Sequence, residues 1–149
     1  MDRFYMFIAT GGYSGYLPKA PGTWGSLVGL LLYLPLHFLP MHQYAIVLAA
    51  LLVLGIVAAG AAEKIVDRPD PGLVVIDEIV GILITLAGVP LHPLFLLLGF
   101  VFFRIFDILK PFPVGWLDDH IHGGLGIMLD DVAAGICGMA VMQLVLRII

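Results

Sequence analysis

The chain has 149 residues, of which 61% are apolar and 12% charged, and its mean hydropathy is +1.08. Soluble globular domains carry about 25% charged residues, so this composition weighs against a water-soluble fold and makes the bilayer the expected solvent. A formal net charge of -4 argues against nucleic acid as a partner and toward bound cations.

The length leaves room for one domain, covering 1–149, with about four or five spanning helices. Residues 1–25 contain Gly11, Gly12, Gly15, Pro18, Pro21, Gly22 and Gly25, and are expected to form a loop or re-entrant segment leading into a helix. Asp2 and Arg3 precede only a short apolar run, without the basic stretch and small-residue cleavage pattern of a secretory signal. Hydrophobic segments follow at 26–39, 44–62, 73–89, 93–109 and 126–149, with turns at 40–43, 63–72, 90–92 and 110–125. The expected fold class is all-α: a polytopic membrane helical bundle of about five short spans behind a glycine/proline-rich N-terminal loop. The single cysteine, Cys137, falls inside the last segment and reads as a small core residue.

An up-and-down path through these segments sorts the charges. All 11 Asp and Glu, and every Lys and Arg except Arg147, fall at segment ends on one face. The opposite face receives His37, His42 and His92. The positive-inside tendency makes the face with Arg3, Lys19, Lys64, Arg68 and Lys110 cytoplasmic, and Trp24 and Trp116 fit interfacial anchors there. Asp77 to Val89 amounts to about 19 Å of helix and Leu94 to Arg104 to about 16 Å, against a hydrocarbon core of about 30 Å. Asp77 and Arg104 are therefore expected below the membrane surface, where an ionised group costs at least about 2.5 to 3.5 kcal/mol and must face partners or a wet pocket. Buried ion pairs that only fix helix packing are the plain alternative.

Three motifs carry the chemistry. IDEIVG places Asp77 and Glu78 side by side near the start of the third segment. In FRIFDILKPFP, Arg104, Asp107 and Lys110 recur every three residues and spread over about 120° of one helix face. In HGGLGIMLDD, three glycines precede Asp130 and Asp131 at the start of the last segment. Carboxylates in this number suit a hard, oxygen-seeking cation such as Mg2+. The interspersed Arg and Lys suit a phosphate that the metal also touches, so metal-assisted chemistry on a phosphate ester is expected. KAPGTWGS adds a glycine-containing turn at a helix start, where Thr23, Ser26 and free backbone N–H groups either hold an anion or simply cap the helix.

The segments IATGGYSGYLPKAPGTWGSL, VIDEIVG, FRIFDILKPFPVGWLD and HGGLGIMLDDVAAG resemble, in order and spacing, the signature segments of the phosphatidylglycerophosphatase A family. The resemblance implies a Mg2+-dependent lipid phosphatase of the bacterial inner membrane that converts phosphatidylglycerophosphate to phosphatidylglycerol. It implies that Asp77, Glu78, Asp130 and Asp131 hold one or two Mg2+ ions, with Asp107 a ligand or a group behind the ligands. Arg104 and Lys110 would bind the substrate phosphate, and His122 would either pass a proton to the leaving oxygen or cap the last helix. Direct attack by water and a phosphoaspartate intermediate both fit. The other partner implied is membrane lipid, with no nucleic acid and no stated oligomeric form. A CDP-alcohol phosphotransferase is disfavoured by the absence of DGxxAR and its following GxxxDxxxD spacing. A cation-transport or adaptor subunit is disfavoured by the few polar groups toward the opposite face.

Overall fold

A backbone this rich in apolar side chains satisfies its own polar groups most readily as helix. The computed structural model describes residues 1–148, and these form seven α-helices with no strand among the described residues. They are α1 (Asp2–Ala9), α2 (Pro21–Leu36), α3 (Met41–Val66), α4 (Ile76–Thr85), α5 (Pro93–Leu109), α6 (Val114–His120) and α7 (Gly123–Ile148), with a short 3-10 turn at Ser14–Tyr16. Each of the five expected hydrophobic segments coincides with a helix, and 93–109 matches α5 at both ends.

Two expectations need correction. The N-terminal 25 residues are not loop throughout: α1 folds within them, buries Met6 and Ala9 and packs on α3. Its eight residues are too few to read as a span, and the glycines that follow disguise it. The region 110–125 likewise contains α6. The count of about five spans is not supported either. Among the described residues, only α3 and α7, at 26 residues each, are long and apolar enough to cross a membrane. Helices α2, α4 and α5 have 16, 10 and 17 residues.

Helix α4 forms the axis. Ile76, Ile79, Val80, Ile82 and Leu83 are each at most 4% exposed, and α2, α5 and α7 wrap around them. A 10-residue helix is about 15 Å long, half of a hydrocarbon core. Its apolar character therefore reflects protein burial instead of lipid contact. Small residues set the approach of its neighbours. A Cβ at Gly135 of α7 would lie 2.5 Å from the Gly81 carbonyl oxygen of α4, and one at Gly81 would lie 2.9 Å from the Asp131 carbonyl oxygen. These two helices run in the same direction in near backbone contact. Asp77 and Asp131 each sit one turn before the paired glycines, so the contact brings their carboxylates together. Gly55, Ala59, Ala62, Ala134 and Gly138 are packing positions: the three alanines are fully buried, and a Cβ on either glycine would strike a neighbouring side chain.

The up-and-down order is also present. The starts of α2, α4 and α7 meet the ends of α3 and α5 around one pocket, and the other ends of α2 and α3 meet the 88–91 turn at a second.

Candidate active site

The first pocket has a volume of about 380 Å3 and is lined by Asp77, Glu78, Arg104, Asp107, Lys110, His122, Asp130 and Asp131, every acidic, basic and histidine residue singled out from the motifs. Helix α4 supplies its two carboxylates from its first turn, where the positive end of the helix dipole favours negative charge. Helix α5 supplies Arg104 and Asp107 from its last turns, and Lys110 closes it in the left-handed conformation with φ 45°. Helix α7 supplies Asp130 and Asp131 two turns from its glycine-rich start.

Within the pocket the charges divide into two groups. The first is acidic and contains oxygens without protein partners. Asp77, Glu78 and Asp131 each offer a carboxylate oxygen within 4.8 Å of the other two. Asp77 Oδ1 and Glu78 Oε2 are buried without a hydrogen bond from any described residue. Leaving such oxygens unpaired carries a desolvation cost that a bound cation would offset. The donors are all oxygen, the set that a hard divalent cation prefers, and the residues present fit Mg2+.

The second group is paired. The Arg104 guanidinium donates to Asp107 Oδ2 one turn below it. Lys110 Nζ donates to Asp130 Oδ2 and Asp118 Oδ1, each at 2.7 Å. Burial pulls the Lys110 ammonium down, but the bonds and charges of Asp118 and Asp130 outweigh it and hold its pKa above the usual lysine value. Asp130 is thus engaged by Lys110, and its Oδ1 accepts the Asp131 N–H at 3.0 Å, so it stands apart from the acidic trio that sequence reasoning grouped it with.

The N-terminal turn reaches the pocket through its backbone and not through its hydroxyls. Ala20, Pro21 and Gly22 line it, and Thr23 and Ser26 do not. Ser26 is fully buried and donates to the Gly22 carbonyl at 2.8 Å, a bond within the helix. Gly22 is the residue that matters there. A Cβ on it would overlap the Glu78 carboxylate and lie 2.9 Å from Arg104 Nη1. Only glycine lets α2 begin against both groups.

Three lining acids were given no role from the sequence: Glu63 at the end of α3, Asp70 in the turn after it, and Asp118 on α6, the last residue of the FRIFDILKPFPVGWLD segment. Glu63 Oε1 accepts the Asp70 N–H at 3.0 Å, which ties that turn to α3. Burial raises the Asp70 carboxyl above its ordinary pKa, with Lys110 opposing. Glu63 and Asp70 read from sequence as turn residues. In all, eight carboxylates and two permanent cations line the pocket. That imbalance gives the pocket a strongly acidic character. Between this pocket and the second, the interior is filled by Ile79, Val80, Ile82, Leu83 and Phe103, all nearly or fully buried, which argues against an ion path through the bundle.

Such a site, closed at one end and open to a charged face, offers oxygen donors for a hard cation and an Arg and a Lys for a phosphate. The sequence profile of the phosphatidylglycerophosphatase A family matches residues 7–146. The chain is 35% identical over 146 residues to the phosphatidylglycerophosphatase A of Escherichia coli, covering 97% of this chain and 85% of that protein. It is 40% identical over 137 residues to the Haemophilus influenzae protein of the same name, covering 91% and 84%. A Bacteroides thetaiotaomicron protein named "Putative phosphatidylinositol-3-phosphatase" is 41% identical over 139 residues, covering 88% and 86%. No solved structure matches the chain. The chain belongs to the phosphatidylglycerophosphatase A family.

Proposed function

We propose that this protein is a Mg2+-dependent phosphatidylglycerophosphatase that works at the cytoplasmic face of a bacterial inner membrane, which it crosses more than once. The observation that carries the reading is the convergence of Asp77, Glu78 and Asp131, two of them with unpartnered buried oxygens, beside the Arg104–Asp107 pair. In this reading the trio holds Mg2+, which when bound neutralises phosphate charge and makes water a better nucleophile at neutral pH. Arg104 binds the phosphate oxygens through its guanidinium, whose orientation Asp107 fixes. Lys110 adds a second positive charge, positioned by Asp130. The backbone of α2 at Gly22 closes the pocket over Glu78 and Arg104 and limits access of bulk water. His122, on the pocket rim, donates a proton from its imidazole to the leaving glycerol oxygen.

The membrane reading is supported by what the helices expose. In the apolar stretch of α3 only 22% is buried, and Ile46, Val53, Leu54 and Val57 face outward. Leu31, Leu97, Val101 and Leu144 do the same on α2, α5 and α7. In water this would be an apolar surface far larger than monomeric proteins tolerate. With the phosphate at the pocket and its acyl chains in lipid, the substrate need not leave the bilayer.

The test is phosphate release by the purified protein in detergent from phosphatidylglycerophosphate, with and without Mg2+, and with phosphatidylinositol 3-phosphate as the competing lipid monoester. Mg2+-dependent release from phosphatidylglycerophosphate in preference to the inositol lipid is expected. Preference for the inositol lipid would overturn the substrate, and release unaffected by chelation would overturn the metal.

A further inference from the structure

Lys110 is held by two carboxylates that are not equivalent. Asp130 has a side chain only 11% exposed, stands on the long α7, and has its second oxygen engaged by the Asp131 N–H. Asp118 has a side chain 41% exposed and stands on α6, which has seven residues. Helix α6 is seated directly on the backbone it serves, since a Cβ at Gly115 would lie 2.6 Å from the Lys110 carbonyl oxygen. Two carboxylates on one ammonium leave a group of net charge -1. A phosphate dianion gains little from a lysine in that state. One carboxylate must leave before Lys110 can act as a phosphate ligand, and the exposed one on the short helix is the one free to go.

From this geometry we infer that Asp118 is a displaceable stand-in for the substrate phosphate. It holds Lys110 in place in the resting enzyme, yields the ammonium to a phosphomonoester, and competes for it again when inorganic phosphate must depart. The inference rests on the phosphatase reading for its substrate, but the competition for Lys110 concerns any phosphate. Asp118 is a positioning residue that sets affinity and product release; no bond is made to it in the reaction. An internal competitor lowers apparent affinity by the fraction of time it occupies the lysine.

The experiment compares wild type, Asp118→Asn and Asp118→Glu, purified in detergent with Mg2+. One arm measures equilibrium binding of radiolabelled inorganic phosphate, and the other measures KM and kcat on phosphatidylglycerophosphate. For a half-exposed ion pair, Asp118→Asn is expected to tighten phosphate binding and to lower KM by roughly 1.5-fold to fivefold. Its kcat should not rise, because phosphate leaves more slowly, and Asp118→Glu should restore both values. Unchanged or weaker phosphate binding in Asp118→Asn would overturn the inference and leave Asp118 a structural support of Lys110. If wild type binds phosphate but leaves phosphatidylglycerophosphate intact, the substrate reading fails, and the binding arm still decides the role of Asp118.

Discussion

The two ends of the helical bundle hold pockets of equal volume, about 380 Å3 each, and opposite character. At the far end, lined by Tyr33, His37, Met41, Tyr44 and Pro90, the polar groups are spent on the fold. The Tyr44 hydroxyl donates to the Leu83 carbonyl at 2.6 Å, and the Tyr33 hydroxyl donates to the Val89 carbonyl. The first fastens α3 to the last turn of α4, whose final carbonyls have no partner within their own helix, and the second fastens α2 to the turn that follows α4. At the charged end the balance is reversed, with buried carboxylate oxygens left without partners. Volume alone distinguishes nothing here. Satisfied polar groups mark the end that holds the molecule together, and unsatisfied ones mark the end that does chemistry.

Substitutions should separate the two ends. The largest effect is expected from Asp77→Asn or Asp131→Asn, which remove a trio carboxylate. Activity should fall about 10^3-fold in steady-state assays, a loss of the size seen when one group that stabilises the transition state is removed. Thermal melting in the absence of Mg2+ should rise, because like charges have been relieved. A drop in melting temperature would erase the distinction between the ends. Next comes Gly22→Ala, whose Cβ must push α2 away from Glu78 and Arg104. Displacement of about 1 Å at a reacting centre costs on the order of 10^2-fold, so kcat/KM should drop by about that factor with little change in melting. Asp107→Asn, which frees Arg104, should cost about 10- to 100-fold in kcat/KM, and Asp107→Glu should recover part of it. Tyr44→Phe should act in the opposite sense and least on activity. It leaves the buried Leu83 carbonyl unpaired at a cost of about 1 to 3 kcal/mol, read as a lower unfolding midpoint with kcat/KM unchanged.

Much of the charged end was legible in the sequence because its motifs sit on long helices. On α5 the spacing of Arg104, Asp107 and Lys110 dictates a shared face, and the alternation of helix direction places that face with the starts of α4 and α7. What was not legible depends on which side chain tertiary packing turns inward. Asp118 and Asp119 are adjacent, and a seven-residue helix has too few turns for a periodic pattern to show which of them turns inward. Thr23 and Ser26 had the right composition for an anion site, yet the bundle presents Gly22 there, because Glu78 and Arg104 leave no room for a side chain. Asp130 and Asp131 are adjacent and therefore diverge by about 100° around α7. One joins the trio and the other meets Lys110, a division that only the position of α5 decides. The length of α4 was overread for a related reason: continuous apolar sequence looks the same whether lipid or protein covers it.

The central claim is that Asp77 and Glu78 of α4, whose buried oxygens lack partners, form a cation site with Asp131 of α7. Its most direct test is equilibrium binding of Mn2+, a spectroscopically visible substitute for Mg2+, to the purified protein in detergent, compared between wild type, Asp131→Asn and Asp70→Asn. Binding competed by Mg2+, abolished or strongly weakened in Asp131→Asn and retained in Asp70→Asn, is the predicted result. Equal binding by wild type and Asp131→Asn, or no binding by a folded wild type, would contradict it.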